Sequence, residues 1–211
     1  MSKLSHYIKC TSKIEIITGM HIGGSKDELK IGGVDSPVIK NPITNVPYIP
    51  GSSLKGRFRM ALELKYNDVT SGHKGVGPSE DPSHESQVVK LFGSASSKTN
   101  FEPTRFIFRD AKLCDESLDF AASEAKTEVT MDRKTMSGAK AGPRTLERVP
   151  AGAKFDFEVN IRVFEGDEEE LFVDRLKEAM NIVEMEYLGG SGTRGYGKVK
   201  FEDFKTEKIE I

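Results

Sequence analysis

The segment FDFEVNIRVF, residues 155–164, decides the fold because it carries the most regular pattern of the chain. Apolar and polar side chains alternate along its whole length, which predicts a strand with one buried face. The apolar members are Phe155, Phe157, Val159, Ile161 and Val163, and the polar members are Asp156, Glu158, Asn160 and Arg162.

A helix is predicted directly after this strand. Its apolar residues recur at helical spacing and share one face: Phe172, Leu176, Ala179, Met180, Val183 and Tyr187. We expect Gly189 to end the helix, because glycine is common just past a helix C-terminus. Residues 198–204 then predict a closing strand.

Four further elements precede the strand at 155–164. Isoleucines within residues 13–18 predict a first strand, and a helix is expected from Ser52, a favourable N-cap residue. A short helix ending at residues 91–93 and a strand within residues 105–113 complete the set. The first helix has an apolar stripe made of Leu54, Phe58, Ala61 and Leu62.

This order of elements predicts an α+β fold with a ferredoxin-like (RRM-like) βαββαβ core in a single domain of 211 residues. We expect long insertions: a loop at about 19–50, a mobile polar segment at 67–87, and a basic segment at 124–152 without stable periodicity. The aromatic strand motif of ordinary RNA-recognition modules is missing, so base stacking on the sheet is not expected.

The charge is distributed unevenly around a net value of −2. Residues 20–66 hold seven cations and four acids, and residues 126–154 hold seven cations and three acids. Residues 156–186 hold eleven acids and three cations. We therefore expect one basic surface, with the acidic stretch facing away from it. Two distant cysteines and the lack of a long apolar run favour a cytoplasmic protein without disulfides or a membrane span.

The segment LGGSGTRGYGK, residues 188–198, contains five glycines. Glycine packs no side chain, so this density indicates a close approach of the backbone to a ligand. Arg194 and Lys198 have no acid beside them in the sequence, which favours a phosphate ligand. Two nucleotide-binding motifs can be aligned here, but both require a strand before and a helix after, the reverse of this order. A helix cap followed by a flexible turn is the plain alternative.

Several motifs occur in an order that resembles the backbone RAMP subunits of type III-A CRISPR (Csm) effector complexes. They are TGMHIGG at 18–24, IGGVDSPVI at 31–39, YIPGSSLKG at 48–56, LFG at 91–93, LERVPAG at 146–152 and the glycine segment. The resemblance implies that several copies stack along a CRISPR RNA and contact the other Csm subunits, including the large polymerase-like subunit. It also implies that each copy cuts guide-paired target RNA beside a thumb-like β-hairpin, which we expect within residues 124–152.

The resemblance further implies a divalent metal, Mg²⁺ or Mn²⁺, and a catalytic aspartate, which by motif is Asp35. An Asx-turn before Ser36 is the structural alternative for this residue. His21 is a second catalytic candidate, as a general acid or a phosphate contact, or it is a hydrogen-bonded loop residue. A non-catalytic guide scaffold is the alternative function.

The candidate RNA-binding residues fall into three groups. They are Ser52, Ser53, Lys55, Arg57 and Arg59 at the start of the first helix, Arg133 and Lys134 in the expected thumb, and Gly190, Gly192, Arg194, Gly195 and Lys198 in the glycine segment. The residues His73, His84, Cys10 and Cys114 match no common zinc signature, so a structural zinc is not expected.

Overall fold

The computed structural model describes residues 2–24, 34–72, 75–78, 86–94 and 102–211. The strands are β1 (Leu4–Ile16), β2 (Tyr48–Ile49), β3 (Val69–Gly72), β4 (Gly75–Pro78), β5 (Phe106–Phe108), β6 (Ala111–Leu113), β7 (Glu124–Asp132), β8 (Ser137–Arg148), β9 (Lys154–Phe164) and β10 (Val199–Glu210). The helices are α1 (Gly51–Tyr66), α2 (Gln87–Phe92) and α3 (Glu169–Met185). The protein is therefore a mixed α+β fold, as predicted.

The central sheet has six antiparallel strands. Its order is β10-β1-β9-β6-β2, and β5 also pairs with β9. Two separate antiparallel hairpins, β3–β4 and β7–β8, lie outside this sheet. The alternation predicted for residues 155–164 is confirmed, because the apolar members of β9 are all buried.

One face of the central sheet carries the hydrophobic core, and both long helices bury their apolar residues against it. The predicted stripe of α1 is confirmed: Leu54, Phe58, Ala61 and Leu62 are all buried. The Phe58 ring stacks on Phe157 of β9 at 5.5 Å between centroids, which fixes the position of α1 on the sheet.

The opposite face of the sheet carries pairs of opposite charges. Lys9 Nζ lies 3.3 Å from a Glu158 carboxylate oxygen, Lys13 Nζ lies 3.4 Å from Asp156, and Lys154 Nζ lies 2.8 Å from Glu202. Each of these partly exposed pairs contributes little to stability. They leave this face of the sheet polar and charged.

Three local expectations differ from the structure. One is the end of helix α3, which ends at Met185 and not at Gly189. Strand β1 begins at Leu4, nine residues earlier than predicted. The apolar pattern did not show this part of the strand, because polar His6 and Ser12 occupy buried positions in it. The basic segment contains an antiparallel hairpin, β7–β8, in the range where the family resemblance places one, and its mostly exposed side chains explain why it has no apolar alternation. The expected cap at Ser52 is wrong, because α1 begins at Gly51 with Pro50 as the N-cap residue and no side-chain cap bond.

Some sequence predictions lie wholly or partly outside the described residues. His73, His84 and the IGG of the IGGVDSPVI motif are among them. Within the described ranges, no helix is both long enough and apolar enough to cross a membrane.

Candidate nucleic-acid interface and active site

Asp35 is attached to strand β8 by two hydrogen bonds with one residue. Its backbone N–H donates to the Thr145 carbonyl oxygen at 3.0 Å, and its carboxylate Oδ2 accepts from the Thr145 N–H at 2.7 Å. Ser36 continues the contact in parallel pairing with Leu146. The carboxylate therefore stands exposed at the root of the β7–β8 hairpin, with its direction set by the main chain of β8.

His21, the second catalytic candidate, contacts Ser36, the residue that follows Asp35. The Nδ1 of His21 lies 2.7 Å from the carbonyl oxygen of Glu147, and its Nε2 lies 3.5 Å from Ser36 Oγ. A carbonyl oxygen only accepts hydrogen bonds, so Nδ1 carries the proton and Nε2 faces Ser36. His21 is largely buried and joins the Glu147 main chain to Ser36, the residue that follows Asp35.

Glu147 organises the segment that carries Asp35. Its carboxylate accepts from the Val38 N–H at 2.8 Å and from Lys40 Nζ at 2.7 Å, and the Ser123 hydroxyl also donates to it. Burial alone would raise the pKa of this carboxyl, but the donors from Lys40, Ser123 and Val38 outweigh burial and hold the pKa below its ordinary value. Glu147 is therefore ionised at neutral pH and fastens residues 38–40 to the hairpin.

An open groove of about 460 Å³ brings together candidates from three distant parts of the chain. It lies between the start of α1, the loop around His21 and the glycine segment. Its lining includes the candidates His21, Ser52, Ser53, Arg57 and Gly190. The groove also contains Met60 and Tyr187, which the sequence analysis did not select.

The three cations near the start of α1, out of four in the helix, have different environments. The Arg57 guanidinium donates from Nε to the Tyr187 carbonyl oxygen at 2.7 Å, pairs with Glu186 and lies 4.4 Å above the Tyr187 ring. Arg59 donates to Glu63 at 2.6 Å and to the Gly93 carbonyl oxygen at 2.7 Å. These two arginines therefore link α1 to neighbouring segments of the protein.

Lys55 is the partly exposed cation of this group. Its partial burial, together with the positive charge of Arg59, lowers the pKa of its amine. Both influences favour an anion beside Lys55, because an anion offsets the lost hydration and the neighbouring charge.

The acidic stretch does not face entirely away from the basic helix. Glu178 of α3 binds Lys65 and Tyr66 of α1, and Glu186 binds Arg57. The expected separation of acidic and basic surfaces is therefore wrong at the α1–α3 contact, where the acids neutralise part of the charge of α1.

The glycines of residues 188–198 have two kinds of surroundings. A Cβ on Gly192 would overlap the Tyr187 ring, a Cβ on Gly197 would overlap the Leu188 carbonyl oxygen, and a Cβ on Gly189 would lie 2.5 Å from the His21 carbonyl oxygen. At these positions the need for glycine comes from contacts inside the protein. Gly190 and Gly195 have no such close contact, so they are the positions where the backbone is open to a ligand.

The glycine segment also contacts the hairpin. Arg194 Nη1 donates to the Glu128 carboxylate of β7 at 2.9 Å, and the Tyr196 hydroxyl donates to the same carboxylate at 2.6 Å. The expectation that Arg194 has no acidic neighbour is therefore wrong, because a residue 66 positions away in the sequence reaches it. Lys198 is exposed at the end of the segment.

Arg133 and Lys134 lie at the far end of the hairpin, in the turn between β7 and β8. Both are exposed, and the Lys134 N–H donates to the Asp132 carboxylate at 2.8 Å. At ~3.3 Å per residue, β7 places this turn about 26 Å from the hairpin root. These two cations are therefore separate from the groove. Exposed Met131 and Met136 flank them.

No group of three or more His, Cys, Asp or Glu side chains with the geometry of a metal site occurs within the described ranges. Asp35 contributes one exposed carboxylate, an oxygen ligand of the kind that Mg²⁺ prefers. The described residues thus fit a cation that takes its other ligands from RNA and water.

Sequence reasoning missed three residues that organise this region. Glu147 lies in the LERVPAG motif, but nothing local indicates that it binds residues 38–40. Tyr196 could have been predicted to be buried, because a large aromatic residue inside a glycine-rich segment needs a packing partner. Tyr187 was assigned to the apolar face of α3, and it packs between Arg57 and Gly192.

Comparison with known proteins gives concordant results. The model of the RAMP superfamily matches residues 13–200. The CRISPR system Cms endoribonuclease Csm3 of Methanocaldococcus jannaschii is 45% identical over 194 residues, which cover 91% of this chain and 77% of that protein. The Streptococcus thermophilus protein of the same name is 42% identical, with coverage of 96% and 90%.

Solved structures agree with these relatives. A Csm3–Csm4 subcomplex of the type III-A CRISPR-Cas interference complex matches with a TM-score of 0.65 and 32% identity, covering 99% of this chain and 82% of the matched chain. A type III-B Cmr-beta complex bound to cognate target RNA matches with a TM-score of 0.67, 20% identity and coverage of 97% and 61%, and shows a similar fold. The chain therefore belongs to the RAMP superfamily and, within it, to the Csm3 family.

Proposed function

We propose that this chain is the guide-binding backbone subunit of a cytoplasmic type III-A CRISPR effector complex and an endoribonuclease that cuts guide-paired target RNA. The observation that carries the proposal is the attachment of exposed Asp35 to the root of the β7–β8 hairpin, beside His21 and the groove. The endoribonuclease names of relatives that are 42–45% identical support the same activity.

In this proposal the central sheet is a ferredoxin-like core and the β7–β8 hairpin is the thumb. The strand order β10-β1-β9-β6, with α1 and α3 as the crossover helices, supports the first assignment. The projecting, exposed hairpin supports the second. Several copies would line up along the guide beside the other Csm subunits, including the large polymerase-like subunit.

The guide backbone follows the groove. At the start of α1 the Gly51 N–H already donates to the Asp110 carboxylate at 2.7 Å. The Ser52 N–H and the hydroxyls of Ser52 and Ser53 are therefore the groups that bind phosphate oxygens at this end. Gly190 offers open main chain in the groove. Further contacts to the guide come from four exposed or partly exposed residues: Lys55, Arg194, Gly195 and Lys198. Such contacts recognise the sugar-phosphate chain and carry little base specificity. Arg133 and Lys134 contact RNA at the hairpin end.

The reaction needs few protein groups because RNA supplies its own nucleophile. The target 2′-oxygen forms a bond to the adjacent phosphorus while the bond from phosphorus to the 5′-oxygen breaks. Asp35 accepts the proton of the 2′-hydroxyl, and solvent protonates the leaving oxygen. The products are a 2′,3′-cyclic phosphate and a 5′-hydroxyl end. A bound Mg²⁺ or Mn²⁺ would supply positive charge to the phosphate, and alignment by the guide supplies much of the rate.

The test compares Asp35→Ala with Asp119→Ala in the assembled complex with guide and target RNA. Asp119 is an exposed aspartate in the 3₁₀ helix Asp115–Ala121 and serves as the matched control. We expect Asp35→Ala to abolish cutting at every position with guide content unchanged, and Asp119→Ala to cut normally. Cutting that survives Asp35→Ala would support a non-catalytic scaffold, and loss of guide binding in that variant would make Asp35 a structural residue.

A further inference from the structure

Tyr196 connects the glycine segment to the hairpin. It is 1% exposed, and its hydroxyl donates to Glu128 of β7 at 2.6 Å. Burial, followed by the hydrogen bond to Glu128, raises the pKa of this phenol, so it remains a neutral donor. Arg194 holds the other carboxylate oxygen of Glu128 at 2.9 Å. Glu128 is thus bound by two side chains of the glycine segment.

The Tyr196 ring also lies against both strands of the hairpin. Lys126 Nζ of β7 is 4.5 Å from the ring centroid, and the Arg148 guanidinium of β8 is 4.6 Å from it. Cations at such distances are attracted to the ring by its electrostatic quadrupole, and more strongly where water is excluded. One buried side chain therefore holds both strands near the hairpin root.

The main chain on either side of Tyr196 is fixed to the body of the protein. The Gly197 N–H donates to the Gly19 carbonyl oxygen at 3.1 Å, and the Leu188 N–H donates to the Gly197 carbonyl oxygen at 2.8 Å. The anchor thus runs from the end of α3 through Tyr196 to the hairpin. On the opposite edge of the hairpin, β8 carries Asp35 through Thr145.

We propose that Tyr196, acting through Glu128, is a positioning residue that sets the angle of the hairpin, and with it Asp35, relative to the guide-binding glycine segment. The consequence is that this contact determines which target linkage each copy cuts. The inference rests on the proposed function and adds to it a residue that controls the place of cutting. Tyr196 touches no RNA in this arrangement.

The size of the effect follows from the length of the hairpin. A rotation of about 10° at the root moves the end of a lever of about 26 Å by about 4–5 Å. One nucleotide adds ~3.4 Å along a helical strand. A small loss of angular control at Tyr196 is therefore enough to move the hairpin end by about one nucleotide spacing, and Asp35, which bonds to Thr145 near the root, moves by a smaller distance.

The experiment uses the assembled complex with Tyr196→Phe, which removes the hydroxyl and keeps the ring, and with Glu128→Gln, which keeps the volume and removes the charge. The matched control is Tyr7→Phe, in strand β1 on the face of the central sheet opposite the hydrophobic core. Product ends are mapped at single-nucleotide resolution. We expect both site variants to bind guide within about twofold of wild type, to spread each cut over neighbouring linkages, and to cut up to about tenfold more slowly.

Amide hydrogen exchange on the same complexes provides a second readout. Faster exchange is expected at residues 124–128 and 144–148 in Tyr196→Phe and not in Tyr7→Phe. Tyr196→Phe that cuts the wild-type linkages, or that leaves exchange at the hairpin root unchanged, overturns this inference alone. A wild-type complex that cuts no target overturns the proposed function, and this inference with it.

Discussion

The Tyr187 ring lies directly against the backbone of Gly192, in the space that a side chain at position 192 would need. Arg57 covers the ring at 4.4 Å from its centroid. This stack joins α1, the end of α3 and the glycine segment, and so it shapes one wall of the groove.

We expect Gly192→Ala to destabilise the protein by about 1–3 kcal/mol, because the new methyl group overlaps a packed ring. Gly190→Ala is the matched comparison, since its nearest neighbour would lie at 3.7 Å, an ordinary contact. Gly190→Ala should keep the wild-type free energy of unfolding and weaken RNA binding, because the methyl group faces the groove. Denaturant unfolding and RNA titration measure the two effects. Equal stability of both variants would contradict the packing argument.

His21 can be tested for its two possible roles. His21→Ala leaves the Glu147 carbonyl oxygen without its donor, which costs about 1–3 kcal/mol. His21→Asn restores an N–H near the position of Nδ1 but offers no group at Nε2. We expect His21→Asn to recover most of the stability in thermal unfolding. If His21→Asn also cuts target at the wild-type rate, Nε2 has no part in the reaction.

Lys55 and Arg57 are expected to differ although they are two positions apart. Arg57→Ala removes a buried link to Tyr187 and Glu186 and should cost about 1–3 kcal/mol of stability. Lys55→Ala should leave stability unchanged and reduce the dependence of log affinity on log salt by about 0.7, the value for one phosphate contact on a single strand. A salt slope that is unchanged in Lys55→Ala would show that this amine contacts no phosphate.

Asp167 is expected to make the free energy of unfolding depend on pH in the acidic range. Its carboxylate is nearly buried beside Arg105, at 2.8 Å, and Lys90, at 2.8 Å. Burial alone would raise the pKa of this carboxyl, but the two cations outweigh burial and lower it. A lowered pKa in the folded state stabilises the protein above the ordinary pKa, and this contribution is lost as pH falls below about 4.

Asp167→Asn should therefore cost about 1–3 kcal/mol at pH 7, because it removes the buried carboxylate partner of Arg105 and leaves Glu102, at 2.6 Å, as its acidic partner. Its stability should also fall less steeply than that of wild type between about pH 4 and pH 2. Asp174→Asn, an exposed aspartate of α3, is the control. Urea unfolding at several pH values measures the slopes, and parallel curves for wild type and Asp167→Asn would contradict the assignment.

Periodicity predicted the elements whose buried face is apolar. Strand β9 and helix α3 were found because each has one continuous apolar face, and the stripe of α1 was found for the same reason. The first half of β1 was missed because His6 and Ser12 occupy buried positions. The hairpin β7–β8 gave no periodic signal because it is exposed on both sides, and a hairpin in this segment was expected from the family resemblance alone. Hydrophobic pattern is informative only where a face is buried.

Motifs in the sequence predicted which residues form the candidate site. They did not predict the contacts that join those residues to distant parts of the chain. His21, Ser52 and Gly190 were each selected from short segments, and the structure brings them to one groove. Glu128, the acid that contacts Arg194, was missed because it lies 66 positions away in the sequence. The residues around Arg194 give no indication of such a long-range contact. For the same reason the ties from Glu147 to residues 38–40 could not be predicted.

The bond between Asp35 and β8 is made on the β8 side entirely by the main chain of Thr145. Side-chain replacement along that strand is therefore tolerated at this contact, whereas proline at position 145 or a one-residue insertion between positions 137 and 145 would displace the carboxylate. Substitutions of exposed side chains in the hairpin can therefore change its surface without displacing the Asp35 carboxylate.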